Sequence, residues 1–358
     1  MKIAAVGIGG AGGRIVDALA HDSDTRPVPY LTGAHALDSD IEALSSLTTI
    51  PERARHSFGH LETKGTGTDG DRRSGIAAIK EDTQEVRRAL DTAITPKTNA
   101  LLVVAGLGGG TGSGATPHLV NALREVHALP VYAVSVLPAN HEPVPRENTV
   151  RGLKAIGEVT DAQIVFNNES WLSASDQLGE KTPELNRILT ERLGALFAAG
   201  EVTPESTVGQ RVVDASEIIA TLDGGGLTTI GYATQELKDT NGTESQSLLG
   251  RIRQQFDTEE ESVDDVTAIK AVESTLRRAV NGKLTVECDR QTAQRGLLVF
   301  SGPPAWLHGQ AIADGRAWVS EEIDSAELRS GDAPHPDATH LTILALLTGV
   351  EPSTQSIS

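Results

Sequence analysis

The stretch GLGGGTGSG at residues 106–114 decides the fold of this chain. It follows the apolar run from Ala100 to Ala105 and precedes a helical pattern from Thr116, which gives the order strand, glycine loop, helix start. Glycines in such a loop let several backbone N–H groups point into one concavity, and the helix adds the positive end of its dipole. The stretch therefore predicts a site for a phosphate chain. Its flanking strand and helix argue against a flexible linker.

The end of this loop disfavours a Walker-type P-loop. Such a loop requires Gly-Lys-Ser/Thr, whereas this chain has Gly112-Ser113-Gly114. The stretch therefore does not indicate an ordinary P-loop NTPase.

A second glycine run, GIGGAGGR at residues 7–14, lies between the first apolar run and the first helical pattern. It contains the spacing G-x-G-x-x-G, so an NAD(P)-dependent oxidoreductase is an alternative, with Asp38 or Asp40 as a late acidic residue of that motif. This alternative leaves residues 106–114 unexplained and offers no clear catalytic histidine.

Length and composition restrict the class of protein. With 358 residues, 38% of them hydrophobic, the chain can bury two cores, so we expect two domains. The apolar runs are much shorter than the ~18 residues of a membrane span, and no signal peptide is evident, so we expect a cytoplasmic protein that is not integral to the membrane. The single cysteine, Cys288, excludes an internal disulfide and a multi-cysteine metal site.

The formal charge of −18 argues against a nucleic-acid surface, because phosphate backbones demand clustered Lys and Arg. Exposed carboxylates stay hydrated in concentrated salt, where their mutual repulsion is screened. The acidic excess and the aromatic content of only 3% therefore favour a halophilic source over an ordinary acidic cytosolic protein.

Apolar runs and helical patterns alternate through the first half of the chain, which predicts βαβ units and a parallel sheet. Strands are predicted at residues 3–7, 29–37, 100–105, 130–136 and 163–166. Helices are predicted at residues 14–21, 74–94, 117–127 and 183–200, the last with apolar residues at three- and four-residue steps along one face.

The second half predicts a smaller α/β domain, with strands at residues 284–287, 297–301 and 341–347. The predicted domains are a nucleotide-binding domain at 1–181, the core helix and its connection at 182–207, a C-terminal domain at 208–350 and a disordered tail at 351–358. The acidic stretch from Asp257 to Asp265 is interpreted as solvated surface.

The sequence GGGTGSG after an apolar strand resembles the signature loop of the tubulin and FtsZ superfamily, whose members bind GTP and polymerise. In that family two glycine loops contact one triphosphate from two sides. Residues 36–40 resemble the second nucleotide loop, residues 65–72 the third, which in the family senses the γ-phosphate, and residues 137–146 the fifth. The implied fold is α/β: a Rossmann-like parallel-sheet GTP-binding domain, a long core helix and a smaller C-terminal α/β domain.

The resemblance also implies the residues that contact GTP. Glu142 stands at the family's ribose-binding glutamate, and Asn167 and Asn186 stand where the family reads guanine with amide groups. For Asp38 and Asp40 a turn or helix cap is as plausible as nucleotide contact. The residues implied for GTP are Gly10, Ala11, Gly12, Gly13, Arg14, Gly108, Gly109, Gly110, Thr111, Gly112, Glu142, Asn167 and Asn186. Mg²⁺ is the expected companion of the nucleotide, and no residue is assigned to it.

Hydrolysis needs a group that orients the attacking water, and no carboxylate of the nucleotide half has an obvious claim to that role. Asp214 and Glu217 are three residues apart, so they project to one side if a helix begins there. They match the family's synergy loop, in which two carboxylates of one subunit reach over the γ-phosphate of the next. The alternative is an N-cap with its capping-box partner, and both roles are compatible.

Val212 stands where FtsZ has an asparagine, which disfavours a bacterial division-ring protein. An FtsZ-like fifth loop combined with a tubulin-like Leu185-Asn186-Arg187 instead resembles CetZ, the haloarchaeal branch of the superfamily. The resemblance implies an assembly-dependent GTPase that forms a head-to-tail homopolymer and controls cell shape, at the cell cortex through an unknown membrane adaptor. A GTP-binding regulator of the same superfamily that polymerises poorly is an alternative.

Overall fold

The computed structural model describes residues 1–173, 176, 178–201, 212–237, 264–324 and 327–353. Its strands are β1 Ile3–Ile8, β2 Leu31–Asp38, β3 Arg55–Ser57, β4 Ala100–Gly106, β5 Val131–Leu137, β6 Ala162–Asn167, β7 Leu227–Glu236, β8 Cys288–Asp289, β9 Arg295–Gly302, β10 Leu328–Pro334, β11 His340–Thr348 and β12 Glu351–Pro352. Its helices are α1 Gly9–Thr25, α2 Ile41–Ser45, α3 His60–Thr63, α4 Arg72–Leu90, α5 Gly110–Arg124, α6 Arg146–Gly157, α7 Leu178–Ala199, α8 Ala215–Leu222, α9 Asp265–Asn281 and α10 Gly309–Glu322.

Ten of the described strands form one sheet in the order β10-β9-β11-β7-β6-β5-β4-β1-β2-β3. From β6 to β3 every neighbouring pair is parallel. Strands β1, β5 and β6 are buried along their whole length, as expected of strands covered on both faces. The predicted Rossmann-like parallel sheet is confirmed, and the carboxyl ends of its strands meet at one edge.

The predicted core helix is confirmed as α7, which begins at Leu178, earlier than expected. Its buried apolar face carries Leu185, Leu189, Leu193, Leu196 and Phe197. These side chains share one apolar core with residues of α1, β1, β9, β10 and β11. The helix therefore packs between the parallel strands and the C-terminal strands.

The strand predicted at residues 284–287 is wrong, because this segment is irregular and only the short β8 follows it. The Thr285 N–H donates to the Ile230 oxygen at 3.1 Å, and the Thr285 oxygen accepts from the Asn167 N–H at 2.8 Å. The segment thus makes one backbone hydrogen bond to the end of β6 and one to β7, beside which the Thr229 and Thr285 hydroxyls form further bonds, and it forms a ladder with neither strand. Cys288, half-buried in β8, agrees with its predicted environment.

The ends of the predicted second domain are only partly described. Glu351 and Pro352 pair with β8, so the tail predicted to be disordered from residue 351 is ordered at these two residues. Of the acidic stretch, residues 257–263 lie outside the described residues, whereas Asp264 and Asp265 are exposed. The domain boundaries at residues 181, 207 and 350 stay a prediction.

Candidate functional site

A cleft lies at the carboxyl edge of the parallel strands, where β1, β4 and β5 end, with a volume of about 180 Å³. Both glycine runs line it, although they are about 100 residues apart in the chain. The residues implied for GTP that line the cleft are Gly10, Ala11, Gly108, Gly109, Gly110, Thr111, Gly112 and Glu142. The fold thus brings together the two motifs that the sequence singled out.

Helices α1 and α5 begin at the cleft without a side-chain cap. Their N-cap residues, Ile8 and Gly109, make no side-chain hydrogen bond to the first turn. Helices α2 and α4 next to them are capped by the carboxylates of Asp40 and Asp71. An uncapped first turn keeps backbone N–H groups and the positive end of the helix dipole available to an anion. Two such helix starts in one cleft suit a ligand with several phosphates.

The glycines around the cleft are required for two different reasons. A Cβ on Gly12 would lie 2.2 Å from the Val104 oxygen, and one on Gly112 would lie 2.4 Å from the Gly106 oxygen, so both glycines are required by backbone packing. A Cβ on Gly109, by contrast, would meet no protein atom within 4 Å. Packing therefore does not require Gly109, and the open space beside it leaves its backbone accessible to close approach by a ligand. The residues present fit a phosphate chain.

Three hydroxyl groups connect the second loop, the third loop and the glycine loop at residues 106–114, which is called the fourth loop below. The Thr111 hydroxyl lies 2.8 Å from that of Ser39 and 3.2 Å from that of Thr68, and all three residues are buried. Thr111 lines the cleft as implied, but its hydroxyl is already engaged within the protein. Ser39 and Thr68 lie in the predicted second and third loops, but neither was singled out as a site residue, because single hydroxyl residues far apart in sequence form no recognisable motif.

The two acidic residues of the second loop differ in role. The Asp40 carboxylate accepts from the backbone N–H groups of Glu42 at 2.9 Å and Ala43 at 3.2 Å, which confirms the capping interpretation for this residue. Asp38 is 4% exposed, and burial raises the pKa of its carboxyl to about 6. A Cβ on Gly10 would lie 3.8 Å from Asp38 Oδ2, so this carboxyl borders the cleft.

Glu142 lines the cleft from the loop between β5 and α6. Its Oε1 accepts from the Ala139 N–H at 2.5 Å, and a further hydrogen bond links its carboxylate to the Asn168 side chain. Burial raises the pKa of this carboxyl, while these hydrogen bonds act in the opposite direction. The carboxylate is therefore held in a fixed position at the wall of the cleft.

Several residues implied for GTP do not line the cleft. Gly12 and Gly13 are buried behind it, and Arg14 is exposed on α1. The buried Asn167 caps the 3₁₀ turn that follows β6 by accepting from the Glu169 N–H at 3.1 Å. The next residue, Asn168, lines the cleft instead.

Asn186, the second amide implied for guanine, is half-buried on α7. Within the described part of the chain its side chain makes no hydrogen bond. The roles of Asn167 and Asn186 stay a prediction, and Asn168 is a cleft residue that the sequence analysis did not single out.

Asp214 is the N-cap residue of α8. Its Oδ1 accepts from the Ser216 hydroxyl at 2.6 Å and from the Glu217 N–H at 3.0 Å. These hydrogen bonds, that of Ser216 above all, hold the pKa of the Asp214 carboxyl below its ordinary value. The capping interpretation is confirmed for Asp214, and Glu217 lies half-buried in the first turn of the same helix.

Helix α8 begins at the end of the sheet opposite to the cleft. A Cβ on Gly200 would lie 2.9 Å from the Met1 nitrogen and 3.2 Å from the Ala215 nitrogen, so the start of α8 lies beside the residue that precedes β1. The cleft lies at the other end of β1, roughly 20 Å away for a six-residue strand. Asp214 and Glu217 therefore cannot reach the cleft of their own chain.

Comparison with known proteins agrees with this architecture. The family model described as Tubulin/FtsZ family, GTPase domain, matches residues 2–176, and the model described as Tubulin-like CetZ, C-terminal domain, matches residues 175–356. Tubulin-like protein CetZ5 of Haloferax volcanii is 38% identical over 99% of this chain and 89% of its own length. CetZ1 of the same organism is 36% identical over 98% of this chain and 88% of its own length.

Two solved structures have the same fold over the whole chain. CetZ1 from Haloferax volcanii, a GDP-bound monomer, superposes with a TM-score of 0.84 at 32% identity, covering 100% of this chain and 96% of that one. CetZ2 from the same organism, a GTPγS-bound protofilament, gives a TM-score of 0.83 with the same identity and coverage.

The fold and the cleft with its two glycine loops define a protein of the tubulin and FtsZ superfamily. Within it, the chain belongs to the tubulin-like CetZ family. The resemblance is confirmed, and the oxidoreductase alternative has no support. None of the helices that the structure describes combines the length and the apolar character that crossing a bilayer would require.

Proposed function

We propose that this protein is a cytoskeletal GTPase that binds GTP in the cleft and assembles head to tail. The single observation that carries the proposal is the pair of uncapped helix starts, α1 and α5, at one glycine-lined cleft. The CetZ1 and CetZ2 relatives, solved with GDP and with GTPγS, support guanine nucleotides as the ligands.

Different residues around the cleft contact the phosphates, the ribose and the base of the nucleotide. The backbone N–H groups of the two glycine loops hold the phosphates. Glu142 accepts from the ribose hydroxyls, for which its fixed carboxylate at the wall of the cleft is suited. Asn167 and Asn186 lie outside the lining of the phosphate cleft. The proposal therefore places the guanine beside the cleft, where the amides of these two residues contact it as the resemblance implies, because an amide both donates and accepts.

Mg²⁺ would accompany the nucleotide and neutralise phosphate charge. In the part of the chain that the structure describes, no group of three His, Cys, Asp or Glu residues is arranged to hold a metal ion. Beside a nucleotide, proteins usually bind Mg²⁺ through phosphate oxygens, waters and one or two carboxylates. The ion is therefore expected to bind with the nucleotide and to leave with it.

Hydrolysis is completed by a second subunit. Asp214 and Glu217 lie at the opposite end of β1 from the cleft, so only another copy can place them over the γ-phosphate. There they orient the attacking water, and the low pKa of Asp214 keeps its carboxylate ionised and able to accept a hydrogen bond from it. Water adds to the γ-phosphorus, the bond to the β–γ bridging oxygen breaks, and GDP and phosphate are released.

Stacking of this kind is heterologous and gives open filaments. A cortical filament that controls cell shape, attached through a membrane adaptor, is the cellular role that we propose. The protofilament formed by the CetZ2 relative supports the filament part of this role.

The test is GTP hydrolysis per molecule of protein in molar KCl with Mg²⁺, over a series of protein concentrations. Asp214→Ala and Glu217→Ala are measured beside the parent, and GTP binding is measured for each. The proposal expects a specific rate that rises with concentration and falls at least about tenfold in both variants, while GTP binding is retained. A flat rate that does not depend on either carboxylate would instead indicate a GTP-binding regulator that polymerises poorly.

A further inference from the structure

Asn148 joins two loops of the cleft through one side chain. It is the third residue of α6 and is 6% exposed. Its Nδ2 donates to the Gly70 oxygen at 2.7 Å and to the Gly108 oxygen at 3.0 Å. A primary amide has two N–H groups, so both are used. Gly70 belongs to the third loop and Gly108 to the fourth, and the amide therefore fixes one loop against the other.

The third loop requires a contact such as the Asn148 hydrogen bond, because its backbone is irregular. Gly65, Gly67, Asp69 and Gly70 all have positive φ angles, and for Asp69, at 47°, this conformation costs about 1 kcal/mol. Alternating left-handed residues prevent a regular hydrogen-bond ladder. The position of the loop therefore rests on isolated contacts, among them the one from Asn148.

The two loops also meet directly at the start of α5. A Cβ on Gly110 would lie 2.3 Å from the Asp71 oxygen, so the end of the third loop packs on the backbone of the fourth. Gly70 and Gly108 both line the cleft. The Asn148 amide thus sets the separation of two walls between which the outermost phosphate of a bound nucleotide would lie.

We propose that Asn148 is a positioning residue that gives the cleft its preference for a triphosphate over a diphosphate. The inference rests on the proposed GTP-binding function. Thr68 and Gly70 of the third loop line the cleft beside the glycine loops, so a third phosphate would gain contacts at this wall that a diphosphate held by the glycine loops lacks. A loosened third loop therefore weakens binding of the triphosphate selectively.

The experiment measures the affinities of GTPγS and GDP for the full chain with Mg²⁺ in molar KCl, at protein concentrations too low for assembly. Asn148→Ala removes both donors and leaves two carbonyls without them, so GTPγS affinity is expected to fall about tenfold while GDP affinity changes less than about twofold. The matched control is Thr149→Val. Thr149 is the next residue, 8% exposed, and its hydroxyl has no hydrogen-bond partner in the described part of the chain, so both affinities should stay unchanged.

The outcomes separate this inference from the proposed function. Equal weakening of GTPγS and GDP, or no change in either, would overturn the role of Asn148 while the GTPase proposal stands. A parent protein that binds neither nucleotide would overturn the GTPase proposal itself. If Asn148→Ala shows no cooperative thermal unfolding, Asn148→Ser, which keeps one shorter donor, takes its place. For this variant the ratio of GTPγS affinity to GDP affinity is expected to lie between the ratio of the parent and a ratio of one.

Discussion

The Arg192 guanidinium lies over the ring of Trp171, with its central carbon 4.6 Å from the ring centroid. The ring of Tyr232 is 5.2 Å away, so one cation on α7 contacts aromatic residues from the turn after β6 and from β7. Arg192 is 6% exposed, and burial lowers its pKa to about 10. Its Nη1 donates to the Ile188 oxygen at 2.8 Å, whereas its Nε has no partner within the described residues. Aromatic faces thus replace the carboxylate that usually accompanies a buried arginine.

Truncation of this side chain should destabilise the protein. We expect Arg192→Ala to lower the free energy of unfolding by about 3 kcal/mol, because it leaves a cavity between Trp171 and Tyr232. Arg192→Met should cost less, since it keeps the packing and removes a desolvated charge. Denaturant unfolding in molar KCl measures both. The control is Arg187→Ala on the same helix, where the exposed ion pair with Glu191 should contribute less than about 1 kcal/mol. Equal effects of Arg192→Ala and Arg187→Ala would contradict the prediction.

Two glycine variants should separate folding from nucleotide binding. Gly12→Ala places a Cβ 2.2 Å from the Val104 oxygen, so the variant should lose several kcal/mol of stability or fail to fold. Gly109→Ala meets no protein atom within 4 Å and should melt as the parent does. Its methyl group occupies the space above the loop, so GTP affinity should fall at least about tenfold. Melting curves together with nucleotide titrations check both, and unchanged GTP binding by Gly109→Ala would show that phosphates do not approach this backbone.

Active-site sharing can be tested by mixing two variants, each impaired in one half of the proposed shared site. Asp214→Ala keeps an intact cleft, and Gly109→Ala keeps intact carboxylates. If the carboxylates act on the cleft of the next subunit, random assembly of an equal mixture places an intact cleft against intact carboxylates at about a quarter of the interfaces. The mixture should therefore recover activity at up to that fraction of its interfaces. Each variant alone at the same total concentration is the control. A mixture no more active than its components would mean that the two features do not meet across subunits.

The buried His35 should make the stability of the nucleotide-free protein depend on pH. Burial lowers the pKa of His35 to about 4, and the neighbouring His56 adds to this effect. Between pH 7 and pH 5 the unfolded chain takes up a proton at this site and the folded chain does not, so acidification favours unfolding. The loss should be about 2 kcal/mol. Denaturant unfolding at both pH values should show that His35→Asn reduces this difference; an unchanged difference would refute the role of His35.

The nucleotide half was predictable because its signals are local. Strands β1 and β4 are continuous apolar runs that end in glycine loops, so their neighbours in sequence already indicate both structure and site. The C-terminal strands are less regular. Strand β10, with the sequence LRSGDAP, contains glycine, aspartate and proline, which an edge strand tolerates but which give no strand signal.

The parts of the site that sequence did not reveal are contacts between distant residues. Asn148 meets carbonyls 78 and 40 residues away in the chain, and the Ser39 hydroxyl meets that of Thr111 across 72 residues. None of these residues belongs to a periodic pattern that would set it apart from an ordinary turn or cap. Such side chains come into contact only when the chain folds, so the sequence does not reveal these contacts.

The proposed head-to-tail filament has a polarity, because α8 lies at the opposite end of β1 from the cleft. The last subunit at one end presents an uncovered cleft, through which nucleotide can enter and leave. The last subunit at the other end presents Asp214 and Glu217 with no phosphate beneath them, while its own cleft is closed by its neighbour. The two ends of the proposed filament would therefore be chemically different surfaces, and only one of them could exchange GDP for GTP without first losing a subunit.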